Sequence, residues 1–136
     1  MRLFLDTNVI LDFLTAREPF VDAAEMVIEL CTRKGNAGAF TTLSACNIVY
    51  ILSKKIGRTA AEEFLKSFID LVPLVGVTPQ AVLEALYSEH VDFEDAVQLA
   101  EARVWRADVI VTRDPAGFSM SDIPVRTPDD VIDSLS

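Results

Sequence analysis

MRLFLDTNVILDFL, residues 1–14, is the stretch whose reading decides the fold. Leu3 to Leu5 is an apolar run that stops abruptly at Asp6, with Thr7 and Asn8 directly behind it. An apolar run ended by a carboxylate reads as a buried parallel strand that delivers its next residue to the carboxyl edge of the sheet. Open α/β sheets bind their ligands at that edge. Val9, Ile10, Phe13 and Leu14 follow at helical spacing, which makes Asp6-Thr7-Asn8 the turn from strand into helix. Taken alone, Asp6 or Thr7 needs no role beyond capping that helix. Whether it has one depends on which other side chains meet Asp6.

Outward from this start, the same alternation recurs. Pro19 ends the first helical segment, and Phe20 to Arg33 carries Ala23, Ala24, Val27, Ile28, Leu30 and Cys31 on one face. Lys34-Gly35-Asn36 closes that helix, and Ala37 to Thr42 reads as a second strand. Ala45 to Lys55 is a largely buried helix, with Thr41, Thr42 or Ser44 as its cap, and Gly57 ends it. Thr59 and Glu62 have the spacing of a capping box for a further helix, whose Phe64 and Phe68 belong to the core or to a subunit contact. Leu71 to Val77 reads as a third strand, at the sheet edge because of Pro73. Thr78-Pro79 opens the next helix, Asp92 to Trp105 is another, and Asp108 to Thr112 is a fourth strand. Val125 begins a short fifth strand, and Pro128 to Leu135 is a last helix. Strands alternating with helices predict an α/β fold: a mostly parallel sheet of four to five strands with helices on both faces.

Composition bounds the function. The 136 residues predict one domain over 1–136 with enough chain to bury a core, and a 51% hydrophobic content excludes a disordered or fibrous protein. No apolar run reaches membrane-spanning length, and Asp6 and Asp12 interrupt any signal-peptide pattern, so a cytoplasmic protein is expected. Cys31 and Cys46 have no metal-binding spacing and read as buried, unpaired thiols. The net charge of −9 argues against broad nucleic-acid binding through Lys and Arg. It fits a basic partner, or a cluster of carboxylates held for a divalent cation.

Two strands end alike, one at Asp6 and the other at Thr112-Arg113-Asp114. In a parallel sheet both ends lie on one edge. A helix beginning near Ser44 places Asn47 in its first turn on that edge, and Asp95 lies in the first turn of the helix beginning near Asp92. The topology therefore gathers Asp6, Asn47, Asp95 and Asp114. Each has a plainer alternative. Asp92 and Asp95 are spaced as helix caps, Asp114-Pro115 is an ordinary turn, and Asp12 is a solvated or ion-paired helix residue. Together, however, carboxylates in one small space repel one another and call for a cation, and an all-oxygen site suits Mg²⁺ or Mn²⁺. One histidine, His90, is too few for a two-histidine acid–base nuclease and reads as a helix-end residue. What remains is metal-assisted hydrolysis, with Thr112 placed to hold a water and Arg113 either on a phosphate or in a surface ion pair.

LDTNVILD at the start, SACNIVYIL, FEDAVQLAEA, and VTRDPAGF near the end resemble the PIN domain in order and spacing over essentially the whole chain. The resemblance implies a PIN-like three-layer fold and Mg²⁺- or Mn²⁺-dependent ribonuclease activity. It is closest to the toxins of bacterial toxin–antitoxin pairs, which implies a homodimer, an RNA substrate and a small antitoxin partner. By position, Asp6, Asp95 and Asp114 match the family's acidic, metal-holding residues, and Thr7, Asn8 and Thr112 match its accessory polar positions. Asn47 stands where the family commonly has Glu. Two other readings stay open: a degenerate PIN fold serving as a binding module, and an aspartate-dependent phosphatase. The latter usually has a second Asp two residues after the first, where this chain has Asn8.

Overall fold

The computed structural model describes residues 1–89 and 92–135. The strands are β1 (Arg2–Leu5), β2 (Ala37–Thr41), β3 (Leu74–Val75), β4 (Val109–Val111) and β5 (Val125–Arg126). The helices among the described residues are α1 (Thr7–Leu14), α2 (Val21–Thr32), α3 (Thr42–Ile56), α4 (Arg58–Leu71), α5 (Pro79–Leu86), α6 (Phe93–Trp105) and α7 (Pro128–Asp133). A single 3₁₀ turn, Pro115–Phe118, follows β4. The sheet is entirely parallel with the order β3-β2-β1-β4-β5. The chain builds outward from β1 to β2 and β3, then crosses to the other side for β4 and β5. Strand order thus reverses between β1 and β4, and the crevice beyond their carboxyl ends is where such sheets bind ligands.

The three central strands, β1, β2 and β4, are buried on both faces because helices cover both, whereas the edge strands β3 and β5 are partly exposed. Leu3 and Leu5 point to one side, where they pack with Val9, Ile10, Val27, Phe40, Ile48, Leu52 and Phe68. Phe4 points to the other and packs with Leu99, Ala102, Ile110 and Phe118. This two-sided burial explains why β1 and β4 are continuous apolar runs rather than alternating ones. Gly38 lets β2 approach α2: a Cβ there would fall 2.6 Å from both Cβ and Sγ of Cys31. Burial pushes the Cys31 thiol up to about 12, so it is inert packing.

Several sequence expectations are corrected by the structure. Cys46 is exposed. The buried stripe of α3 is Ser44, Ala45, Ile48 and Leu52, and position 46 lies about 200° around the helix from 48. No capping box forms at Thr59. Gly57, at φ 84°, caps α4 without a side-chain bond, so the helix starts at Arg58, and Glu62 pairs with Arg58 instead. The third strand is only Leu74–Val75, because Leu71 ends α4; it does lie at the sheet edge. Phe68 is core, edge-on to Phe40 at 5.1 Å, whereas Phe64 is 45% exposed. The reading of His90 falls outside the described residues. No described helix is long and apolar enough to cross a membrane.

Candidate active site

Asp6 follows β1 directly and is held to β4 by its backbone N–H, which donates to the Val111 carbonyl at 3.0 Å. Its side chain is the cap of α1: Oδ1 accepts from the Thr7 N–H at 2.8 Å. Thr7 and Asn8 accordingly lie in the first turn of α1 rather than in a preceding turn. Oδ2 of Asp6 accepts from the Thr112 hydroxyl at 2.8 Å. That hydroxyl also accepts from Asn8 Nδ2 at 3.2 Å and from the Asp114 N–H at 3.1 Å. Its one donor and both lone pairs are therefore engaged by Asp6, Asn8 and the Asp114 backbone. Asn8 completes the clasp by accepting from the Arg113 N–H at 3.1 Å.

Thr7 opens a second, buried network. Its hydroxyl bonds Ser44 Oγ at 2.7 Å, which accepts from Gln98 Nε2 at 2.8 Å. Gln98 Oε1 in turn accepts from the Thr41 hydroxyl at 3.0 Å. This chain of four side chains locks α1, β2, α3 and α6 together beneath the site.

Asp95 lies in the first turn of α6, its N–H held by the cap Asp92 at 2.9 Å. Asp114 caps the turn after β4. The two carboxylates meet over Gly117: a Cβ there would lie 2.8 Å from Asp95 Oδ2 and 3.5 Å from Asp114 Oδ2. A groove of about 390 Å³ runs past Asp6, Asn47, Glu94, Asp95 and Gln98. Asn47 reaches it from the second turn of α3, since that helix begins at Thr42 rather than near Ser44. Asp114 is exposed and stands at the side of the groove, not in its wall. Arg113 forms an ion pair: its guanidinium pairs with Asp12, at 2.5 Å from Nε and 3.2 Å from Nη2, and stacks on Phe20 at 4.3 Å.

The electrostatics record the crowding. Burial, with the charges of Asp92, Asp6, Asp114 and Glu94, pushes the Asp95 carboxyl up to about 6. Burial also raises Asp6, against the lowering bonds from Thr112 and Thr7 and with the charges of Asp114 and Glu94. Among the described residues no three acidic, histidine or cysteine side chains stand close enough together to form a ready-made cage. The donor set nevertheless fits a hard divalent cation: its ligands are all oxygens, they repel one another, and two of them share the space over Gly117.

Sequence reasoning did not find Ser44, Gln98, Glu94 or Gly117. Gln98 left one signal, a polar side chain between the apolar Val97 and Leu99, one turn after Asp95.

The fold and the site define an α/β protein with an acidic crevice at the switch point of its sheet. A PIN domain model matches residues 2–116, and the chain belongs to the PIN domain family. No curated protein sequence matches it. Among solved structures it is similar to VapBC-1 from nontypeable Haemophilus influenzae, with 16% identity, 95% of this chain and 99% of that chain covered, and a TM-score of 0.73. A toxin–antitoxin complex from Klebsiella pneumoniae gives 20% identity, 93% and 97% coverage, and a TM-score of 0.70. VapC20 from Mycobacterium tuberculosis, a toxin that cleaves the sarcin–ricin loop, gives 16% identity, 87% and 94% coverage, and a TM-score of 0.68. At these identities the likeness is one of fold.

Proposed function

We propose that this chain is a divalent-cation-dependent ribonuclease, the toxin of a toxin–antitoxin pair. What supports the reading is the approach of Asp95 and Asp114 over Gly117, with Asp6 near enough for its charge to act on Asp95, at the switch point of a PIN sheet. Asp6, Asp95 and Asp114 would hold Mg²⁺ or Mn²⁺. When bound, such a cation supplies the Lewis acidity that activates water and offsets charge on a phosphate. Thr112 fixes the Asp6 carboxylate and the Asp114 backbone N–H, Asn8 braces Thr112, and the Thr7–Ser44–Gln98 chain holds the groove floor. Asn47 lines the groove with a neutral amide, whose oxygen would be a ligand without charge.

The same reading implies partners. A small antitoxin is proposed because similar structures include a toxin–antitoxin complex. A homodimer is proposed with part of α4 between subunits, because Phe64 and Leu71 leave 45% and 44% of their surface exposed there. Light scattering at micromolar concentration then gives twice the chain mass, and a monomer contradicts the dimer.

One observation favours a second reading, a non-catalytic PIN scaffold: Asn47 withholds the charge that the family's usual Glu brings. Cleavage of a panel of structured and single-stranded RNAs across a Mn²⁺ titration separates the two. A nuclease cleaves in wild type, and Asn47→Glu shifts the half-maximal Mn²⁺ concentration downward, because an added anion near the cation favours it. A scaffold cleaves nothing at any Mn²⁺ concentration, with either residue at 47. Glu at 47 with no change in Mn²⁺ binding removes that position from the site.

A further inference from the structure

The turn Pro115–Phe118 contains a glycine that its backbone does not require. Gly117 lies outside the left-handed region, unlike Gly35 and Gly57, so alanine is free to adopt its conformation. In a helical turn alanine is also the more stable of the two residues. Sterics give the reason for glycine. The three atoms nearest to a Cβ at this position are Asp95 Oδ2 at 2.8 Å, Asp114 Oδ2 at 3.5 Å and Asp95 Cγ at 3.6 Å. All three belong to carboxylates, and none belongs to the apolar core. Gly38 is the opposite case, pressed against a core thiol, and Gly76 has nothing within 4 Å.

A methyl group at 117 therefore has one ready way out. The Asp95 backbone is fixed by α6 and by the Asp92 cap, so the Asp95 carboxylate must swing away. We propose that Gly117 is a positioning residue, whose bare Cα leaves the room in which the Asp95 and Asp114 carboxylates serve one cation. The proposal rests on the reading of the site as cation-dependent.

The test has a metal-free arm and a metal arm. In the first, Gly117→Ala, Asp95→Ala and their combination form a double-mutant cycle read by the melting temperature of the metal-free protein. With the Asp95 side chain removed, Gly117→Ala raises the melting temperature by a few degrees, the ordinary gain for such a change. With Asp95 present, that gain shrinks or reverses. In the second arm, calorimetry with Mn²⁺ shows at least about a tenfold loss of affinity for Gly117→Ala, the size expected when a ligand's support is disturbed. Gly76→Ala leaves that affinity unchanged. A cycle without coupling overturns the proposal, as does coupling with wild-type Mn²⁺ affinity, which would make the contact merely structural. Wild type that binds no Mn²⁺ overturns the cation reading itself and this proposal with it, and does so before any Gly117 variant is compared.

Discussion

Asp95→Asn lowers Mn²⁺-dependent RNA cleavage by at least about 100-fold while making the metal-free protein more stable at neutral pH. Disturbing the residues that merely support a metal ligand costs up to this much, and losing a ligand charge costs no less. The gain in stability has a separate origin. Asp95 is pushed from an ordinary 3.8 to about 6, first by burial and then by its acidic neighbours. The folded protein thus binds a proton here more tightly than the unfolded chain does. The resulting penalty is absent below 3.8, grows as the pH rises from 3.8 to about 6, and is complete above that. Asparagine removes it, for a gain on the order of 1 kcal/mol after allowing for solvent screening and for the favourable helix dipole it gives up. Melting of the metal-free protein between pH 4 and 8 checks the sign: wild type loses stability as the pH rises through this window, and the variant loses less. Saturating Mn²⁺ reverses the order at pH 7.5, because only wild type gains the binding energy. Asp6→Asn is the less clean variant: asparagine keeps the cap through Oδ1, but its NH2 replaces the Oδ2 that accepts from the Thr112 hydroxyl, so relief of repulsion is offset by a lost hydrogen bond. If Asp95→Asn destabilises the metal-free protein, repulsion among these carboxylates is not what sets its stability.

Features that repeat along the chain are the ones legible in the sequence. The apolar runs before Asp6 and before Thr112 are strands because both faces of the sheet are covered, and their ends mark the site edge unaided. Asp95 is readable because helix α6 announces its own start with Asp92. The remainder depends on side chains meeting across the fold. Ser44 and Gln98 are 54 residues apart, and Arg113 and Asp12 are 101 apart, so no local spacing predicts either bond. Gly117 looks like a turn residue until the carboxylate above it is seen. Cys46 shows a different failure: residue type points to burial, whereas helical position decides against it, because the stripe through Ala45, Ile48 and Leu52 faces away. Arg113 does form an ion pair, one of its two expected fates, but its partner is buried. Asp12 reads as a solvated or ion-paired helix residue; it is ion-paired, but at 1% exposure it is in the interior.

Arg113→Ala is expected to cost about 3–5 kcal/mol of stability, the range for breaking a buried ion pair by removing one partner. Asp12 is 1% exposed, and the guanidinium of Arg113 contacts both of its carboxylate oxygens. Without it a carboxylate remains in the interior with no opposite charge, and Phe20 loses the cation stacked on its ring. Arg113→Lys recovers only part, because an ammonium matches neither the two-oxygen geometry nor the stacking. Asp12→Ala/Arg113→Ala is more stable than Arg113→Ala alone, since the unpaired charge is then gone and a smaller packing loss remains. Chemical denaturation of wild type, both single variants and the double variant gives the coupling energy directly. A near-additive cycle would sink the argument and leave Arg113 as surface decoration. The pair also reaches the site through the chain itself. Arg113 lies between Thr112 and Asp114, and its N–H is the donor that Asn8 accepts. Once the guanidinium anchor is lost, the backbone that aims Asp114 keeps the Asn8 and Thr112 bonds and the backbone bonds of Thr112 to Arg126 and of Gly117 to Asp114, but no side chain of its own ties residue 113 to α1. Mn²⁺ affinity in Arg113→Ala therefore falls even at temperatures where the protein is fully folded, whereas Arg113→Lys keeps most of it.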